Sequence, residues 1–353
     1  MKYLTGIATS DWHFGGLQKH FSNHVERTVH ELDKIYRYAI DNGIKHVFVP
    51  GDISDSPNMP WEIYIQLVLF LKKYDGIIHT HYICGNHDFS DLSKTSMDFL
   101  SVLQQQNFFK TFHLYLQAEQ VVIDGVTVNF LPYPSTESLT SENPCLNFSH
   151  VTYNGALGDN GRKLRVKDEF IQDPRDYNIS GHIHLYQHLK SKRAVYCGNP
   201  FQKNFGESLP KGFIHFRARQ SSKSEVLEFK HKFVNNEPDF ELRNLVINNT
   251  SDFAALKKSN GIRYKLFVDP SVLVPKNLLI EYPNITGGIF DIKGQKKAHE
   301  DDVVERTVSS IDKVSSTNVR KGLTSFMLEK GFEKLHIKQA HLEVKKAMNE
   351  LGI

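Results

Sequence analysis

The sequence predicts an α/β fold: two sheets packed as a sandwich and flanked by helices, followed by a small α+β domain and C-terminal helices. Three observations predict it. Residues 3–84 alternate strand, helix, strand, helix, strand, the pattern of right-handed βαβ units in a parallel sheet. Helices then give way to short strands, which calls for a second sheet against the first. Clusters rich in Asp, His and Asn stand where strands end.

Taken in order, Tyr3 to Thr9 is a β-prone run that reaches Ser10-Asp11-Trp12-His13. Ser22 is expected to cap a helix, because its hydroxyl can accept from a free backbone N–H of the first turn. Val25, Val29, Leu32, Ile35, Tyr36, Ala39 and Ile40 recur at helical spacing, and Gly43 ends the run. Ile44 to Val49 is a second strand, leading into Pro50-Gly51-Asp52. Pro60 to Tyr74 is a second helix, apolar nearly all round, so it is buried or faces another subunit. Ile77 to Cys84 is a third strand. It meets Gly85-Asn86-His87-Asp88, and Phe89 to Thr95 reads as a loop.

Met97 to Gln106 is a third helix. Asp124-Gly125 between β-branched runs marks a hairpin within Val121 to Phe130. Short strands follow around Asn147–Val151, Tyr177–Ser180, Ala194–Cys197, Phe213–Arg217 and Val226–Phe233. Residues 1–234 thus form the main domain and 235–290 a small α+β domain with a strand at Ile262 to Val268. Residues 291–320 read as a polar linker. In 321–353, Ile337, Ala340, His341, Val344, Ala347, Met348 and Leu351 recur as one face of an amphipathic helix.

Composition is that of an ordinary globular protein: 40% hydrophobic and 24% charged over 353 residues. A formal net charge of +3 neither requires nor opposes nucleic-acid binding. The 18 histidines prompt a search for metal ligands. Cys84, Cys145 and Cys197 form no CxxC pair, which excludes zinc-finger and thioredoxin readings. No apolar run reaches the length of a membrane span, and the N-terminus lacks a signal-peptide core, so a cytosolic protein is expected.

Five clusters carry the chemistry: Asp11-Trp12-His13, Gly51-Asp52-Ile53-Ser54-Asp55, Gly85-Asn86-His87-Asp88, Ser149-His150 and Gly181-His182-Ile183-His184. In a parallel sheet the carboxyl ends of the strands share one edge, where ligands bind. Carboxylate oxygens, imidazole nitrogens and an amide oxygen suit Mn²⁺, Fe²⁺ or Zn²⁺ better than Ca²⁺. Asp11 and His13, two apart, are expected on one side of an extended strand end. Each cluster alone has a plain alternative: Asp-x-His as surface polarity, Gly-Asp as a turn, His150 as a satisfied core histidine. All five together favour a metal site. His79 and His81, on one face of a strand, read as structural.

The ordered set DxH, GDxxD, GNHD, H, GHxH resembles the calcineurin-like metallophosphoesterases. Within that superfamily, Gly198-Asn199-Pro200, Phe205-Gly206-Glu207 and Lys211-Gly212-Phe213 resemble the stretch typical of SbcD/Mre-eleven nucleases, with Asn199 where the family usually has Ser. The motifs cover residues 3–217, and the length is nearer that of compact phage-encoded members.

The resemblance implies two divalent metal ions, Mn²⁺ foremost. One would be held by Asp11, His13, Asp52 and His184, the other by Asp52, Asn86, His150 and His182, with Asp52 bridging. His87 would be the catalytic histidine off the metals and Asp55 its orienting residue; Asp88 would support the loop. The substrate implied is DNA, cut as a double-strand 3′→5′ exonuclease and single-strand endonuclease. The resemblance also implies a homodimer and a coiled-coil ATPase partner of the SbcC/Rad-fifty type bound by the C-terminal helix. Lys19, His20 and the run Arg162, Lys163, Arg165 and Lys167 could meet phosphates. The ligands alone equally allow a metallophosphatase or cyclic-nucleotide phosphodiesterase, and a non-catalytic scaffold is the remaining alternative.

Overall fold

Strand-forming segments alternate with amphipathic helices from the start of the chain, and a computed structural model shows how they assemble. It describes residues 3–91, 94–159, 161–221 and 224–294. The helix expected in 321–353 and all but the first residues of the 291–320 linker lie outside these. The elements run β1 (Leu4–Ala8), α1 (His24–Asp41), β2 (His46–Pro50), α2 (Trp61–Tyr74) and β3 (His79–Ile83). A small ribbon of β4 (Phe89–Asp91) and β5 (Lys94–Thr95) then precedes α3 (Asp98–Gln105), β6 (Phe112–Tyr115), β7 (Glu119–Ile123) and β8 (Val126–Leu131). Next come β9 (Leu146–Ser149), β10 (Tyr177–Ser180), β11 (Gln187–Leu189), β12 (Ala194–Tyr196), β13 (Gly212–Arg219) and β14 (Glu228–Asn235). The small domain holds β15 (Glu241–Ile247), β16 (Ile262–Val268), α4 (Leu278–Glu281) and β17 (Ile285–Asp291).

Two six-stranded sheets face each other, in the orders β14-β13-β1-β2-β3-β6 and β11-β12-β10-β9-β8-β7. Strands β1, β2, β3 and β6 are parallel, as are β8, β9, β10 and β12; antiparallel strands close the edges. Phe48 of the first sheet stacks on Phe148 of the second at 4.2 Å, in a buried layer with Ile83, Phe130, Ile179 and Phe216. Helices α1 and α2 cover the outer face of the first sheet through Leu32, Ile35, Tyr36, Leu67 and Phe70. The fold class is the one expected.

Several local expectations differ. Ser22 does not cap α1: the helix begins at His24, and the amide oxygen of Asn23 is taken by the Arg27 guanidinium at 3.0 Å. Strands β6, β11, β15 and β17 go beyond the expected set, and Phe89 to Thr95 is a ribbon rather than a plain loop. The hairpin at Asp124-Gly125 forms with positive φ at both residues (49° and 80°), as its tight turn requires. The three cysteines are free and buried. No described helix is long and apolar enough to cross a membrane.

His79 and His81 belong to a stack with His46 and His113. His46 Nδ1 lies 3.1 Å from His81 Nε2, and His79 Nδ1 lies 3.2 Å from His113 Nε2. Burial, with His113, His46 and His79 alongside, holds the His81 imidazole well below its usual range. The unfolded chain takes up a proton there near pH 6.5 and the folded chain does not. Stability therefore falls as pH drops below about 6.5. Urea unfolding at pH 7 and pH 5 checks this: the stability lost on acidification should be smaller in His81→Phe than in the wild type. Equal losses in the two proteins would refute the assignment.

Candidate metal centre

The loops after β1 and β2 run side by side. Asp11 N–H donates to the Gly51 carbonyl (3.1 Å), His13 N–H to Asp52 (3.1 Å) and Phe14 N–H to Ile53 (2.7 Å), and Asp55 N–H returns to Phe14 (3.1 Å). This loop pairing replaces the extended strand end expected at Asp11 and His13, whose φ values are 55° and 45°. The Asp11 and His13 side chains still reach the same place. A Cβ on Gly51 (φ +97°) would lie 2.1 Å from His150 Nδ1, so both conformation and space demand glycine there. Gly85 is needed for space alone, since a Cβ would meet Asp52 Oδ1 at 2.2 Å.

All seven expected ligands converge, and they come from both sheets: Asp11, His13, Asp52 and Asn86 follow β1, β2 and β3, while His150, His182 and His184 follow β9 and β10. One group brings ligand atoms of Asp11, His13 and His184 within 4.8 Å of one another, and another those of Asp11, Asp52 and His150. His13 Nε2 and His184 Nε2 are 3.1 Å apart. Asn86 Oδ1 lies 3.0 Å from His150 Nε2 and 2.9 Å from His182 Nδ1. Asp52 Oδ2 stands 3.3 Å from His150 Nε2 and 3.9 Å from His13 Nε2.

This donor set fits divalent cations. His150 Nδ1 faces the Pro50 carbonyl at 2.9 Å. A carbonyl only accepts, so Nδ1 carries the proton and a neutral ring presents a bare lone pair at Nε2. That lone pair points at two oxygens, Asn86 Oδ1 and Asp52 Oδ2, an arrangement that repels itself unless positive charge sits among them. Burial alone would lower the His150 pKa, yet Asp52, Asp11 and the Pro50 carbonyl push it up to about 9. Burial likewise opposes charge on His184, but its contacts with Asp159 and Glu207 raise it to about 10. Asp52, although buried, is held well below the carboxylate range by His150 and His13. Burial pushes His13 and His182 the other way, below the usual imidazole range, so bare ring nitrogens stand beside the Asp52 carboxylate, a donor set that metal ions would fit. Asp11, His13, Asp52 and His184 would surround one ion, and Asp52, Asn86, His150 and His182 the other.

His87 stands beside this set, its ring 4.8 Å from His13. Its N–H donates to Asp52 Oδ1 (2.9 Å), and its Nδ1 lies 2.9 Å from the main-chain carbonyl of Asp55. Asp55 therefore orients His87 through its backbone. Its carboxylate, expected to do so, instead lies 3.4 Å from His13 Nδ1 and 2.5 Å from Lys203 Nζ. Asp88 supports the loop, as expected. It accepts from Gly85 N (2.8 Å), Asp52 N (3.0 Å), Ser54 N (3.0 Å), Ser54 Oγ (2.8 Å) and the Tyr82 hydroxyl.

Three further residues touch the centre, and the sequence reading gave them no role. Glu207 Oε1 and Asp159 Oδ2 lie 3.1 and 3.2 Å from His184 Nδ1, and Lys203 Nζ lies 3.3 Å from His13 Nδ1. Glu207 also accepts from Asn199 Nδ2 (2.9 Å) and pairs with Lys211 Nζ (2.8 Å). The FGE-like motif was the one available signal for Glu207; Lys203 and Asp159 carry none. His20 does not stand open to solvent but sits between Phe205 and Thr286.

Removing Asp88 strands several buried donors at once, each charge-assisted while the carboxylate is ionised. Asp88→Ala is expected to lower stability by about 3 kcal/mol or more and to weaken divalent-metal binding. Chemical denaturation and calorimetry of the purified variant check both effects; unchanged values would show that the loops do not depend on it.

The family model of calcineurin-like phosphoesterases matches residues 7–186. No curated protein sequence matches the chain. Among solved structures, Yfce, a phosphoesterase from E. coli, is similar at 12% identity and TM-score 0.33, over 65% of this chain and 100% of that one. A novel archaeal phosphodiesterase is similar at 11% identity and TM-score 0.30, over 65% and 99%. GAP50, the anchor in the inner membrane complex of Plasmodium, is similar at 10% identity and TM-score 0.37, over 67% and 86%. The matched span contains all seven expected ligand positions together with His87 and Asp55, and the chain belongs to the calcineurin-like phosphoesterases, a family of metal-dependent hydrolases of phosphoesters.

Proposed function

We propose that this phosphoesterase is a two-metal DNA nuclease, a double-strand 3′→5′ exonuclease and single-strand endonuclease of the SbcD/Mre-eleven type. One observation carries the choice of DNA. The run Arg162, Lys163, Arg165 and Lys167 is exposed, on the same loop as Asp159, whose carboxylate reaches His184. Four cations beside a phosphoester-cleaving centre suit a polyanionic chain, whose neighbouring phosphates they can meet. A small monoester offers a single phosphate, with no neighbouring phosphates for the run to meet.

The ions, Mn²⁺ in this reading, would neutralise the phosphate and activate the attacking water when bound, with Asp52 shared between them. The chain's own contribution is the proton. His87 Nδ1–H donates to the Asp55 carbonyl, which leaves Nε2 as the position from which a proton passes to the leaving oxygen. The Asp52 carboxylate fixes the His87 backbone at the same time.

The partners in this reading are a second copy of the chain, met through α2 and α3, and an SbcC/Rad-fifty-type ATPase bound by residues 321–353. Leu69 on α2, 40% exposed, supports the first. The setting proposed is the cytoplasm, that of the host for a phage-encoded protein, in DNA recombination, repair or replication.

Purified protein with Mn²⁺ should degrade linear duplex DNA. His87→Ala should retain both ions by calorimetry while losing about 100-fold or more in cleavage rate. Full activity in that variant would sink the assignment of His87. Hydrolysis of a small phosphodiester with none of DNA would transfer the reading to a small-substrate phosphodiesterase, and an inert wild-type protein would leave the scaffold.

A further inference from the structure

Behind His13, on the side away from the Nε2 that faces His184, three polar atoms meet. Lys203 Nζ lies 2.5 Å from Asp55 Oδ1 and 3.3 Å from His13 Nδ1, and Asp55 Oδ1 is 3.4 Å from that same nitrogen. Asp55 therefore touches two active-site imidazoles: His13 with its carboxylate and His87 with its carbonyl. The two rings stand edge to face, 4.8 Å apart at 87°. How Asp55 sits sets both rings together.

The Asp55 carboxylate lies beside the loop after β1, where a Cβ on Gly16 would stand 3.1 Å from Oδ1. Among the described residues the lysine or arginine paired with it is Lys203, whose side chain is only 14% exposed. Lys203 is itself anchored. Its N–H lies 3.3 Å from Glu207 Oε2, and the other Glu207 oxygen faces His184 Nδ1. The loop that carries Lys203 thus holds His184 by Glu207 and the Asp55 side of the centre by its ammonium.

From this the geometry points to Lys203 as a positioning residue for phosphoester cleavage, one that acts through Asp55 on His13 and His87. It rests on the roles given above to those two histidines. A lysine in contact with substrate phosphate would have its charge turned to the cleft; this one spends it on the carboxylate beside His13, in a residue whose carbonyl meets His87. Removing the ammonium releases the Asp55 carboxylate, more than a quarter exposed, to water. His13 then loses the carboxylate beside its Nδ1, and the residue whose carbonyl orients His87 loses its side-chain anchor. The loss falls on turnover rather than on substrate binding, because the basic run is unchanged and no expected metal ligand is substituted.

The test is a double-mutant cycle on Lys203→Met and Asp55→Asn, with Mn²⁺ and bis(p-nitrophenyl) phosphate as a substrate that needs no DNA contact. Each single variant should lose about tenfold in kcat with KM within twofold, the range for removing an outer support of a metal-ligating histidine. The double variant should be no worse than either, since both changes break one connection. Single-strand oligonucleotide binding in EDTA, read by anisotropy at two salt concentrations, should match wild type in Lys203→Met. Lys203→Gln and melting curves of every variant separate loss of turnover from loss of folding. Losses that multiply in the double variant overturn the inference. So does a raised KM with weaker oligonucleotide binding, which would make Lys203 a phosphate contact. Wild-type protein that hydrolyses no phosphodiester would overturn the proposed function itself, a different result from an active wild type with an additive cycle.

Discussion

Two buried carboxylates, Asp88 and Glu207, hold the loops on which everything else in the centre depends. Asp88 gathers the backbone of Gly85, Asp52 and Ser54, fixing the loops after β2 and β3 against each other. Glu207 gathers Asn199, Asn204 and Lys211 and reaches His184, fixing the second sheet's contribution. Neither stands among the expected metal ligands. Each satisfies donors that would otherwise be buried without partners, and a buried group left unpaired weakens a fold more than a made bond strengthens it. The loops can crowd their imidazoles and carboxylates because these two anchors lie beneath them.

The crowding shows in the backbone. Among the described residues, eight non-glycine residues have positive φ, and four of them are Asp11, His13, Asp52 and His182. Such conformations are held only where the surroundings over-determine them, and they gather at functional sites. Here the surroundings are the loop-to-loop hydrogen bonds from Asp11 to Gly51 and from His13 to Asp52. Strain and ligation thus fall on the same residues.

How much of this was legible in the sequence follows from distance along the chain. Gly85-Asn86-His87-Asp88 could be read because residues adjacent in sequence stay adjacent in the centre, each with its own contact. The β1-α1-β2-α2-β3 order was legible because apolar periodicity marks each element. Strand β17 was not, since Gly287 and Gly288 interrupt its run of strand-forming residues, and Ser22 looked like a cap only while the hold of Arg27 on Asn23 was unseen. Glu207 lies 23 residues from the histidine it supports, and Lys203 lies 190 from His13. A lysine in a polar loop bears no local mark of such a contact. Asp55 was legible as a site residue, but which of its oxygens faces His87 was not, because backbone and side-chain carbonyls differ only in the folded loop.

The division of the ligands between two sheets has a thermodynamic consequence. Either sheet alone would present three or four donors and no complete shell: the first lacks the three histidines and the second lacks every carboxylate and the amide. Cations bound at the centre are therefore bound by the packed sandwich and not by its halves. Whatever free energy they release on binding adds to the stability of the two-sheet contact around Phe48 and Phe148. Conversely, any change that loosens that aromatic layer weakens metal binding without touching a ligand. The hydrophobic core between the sheets and the charged cluster at their ends belong to one equilibrium, and the two buried carboxylates are the mechanical connection between them.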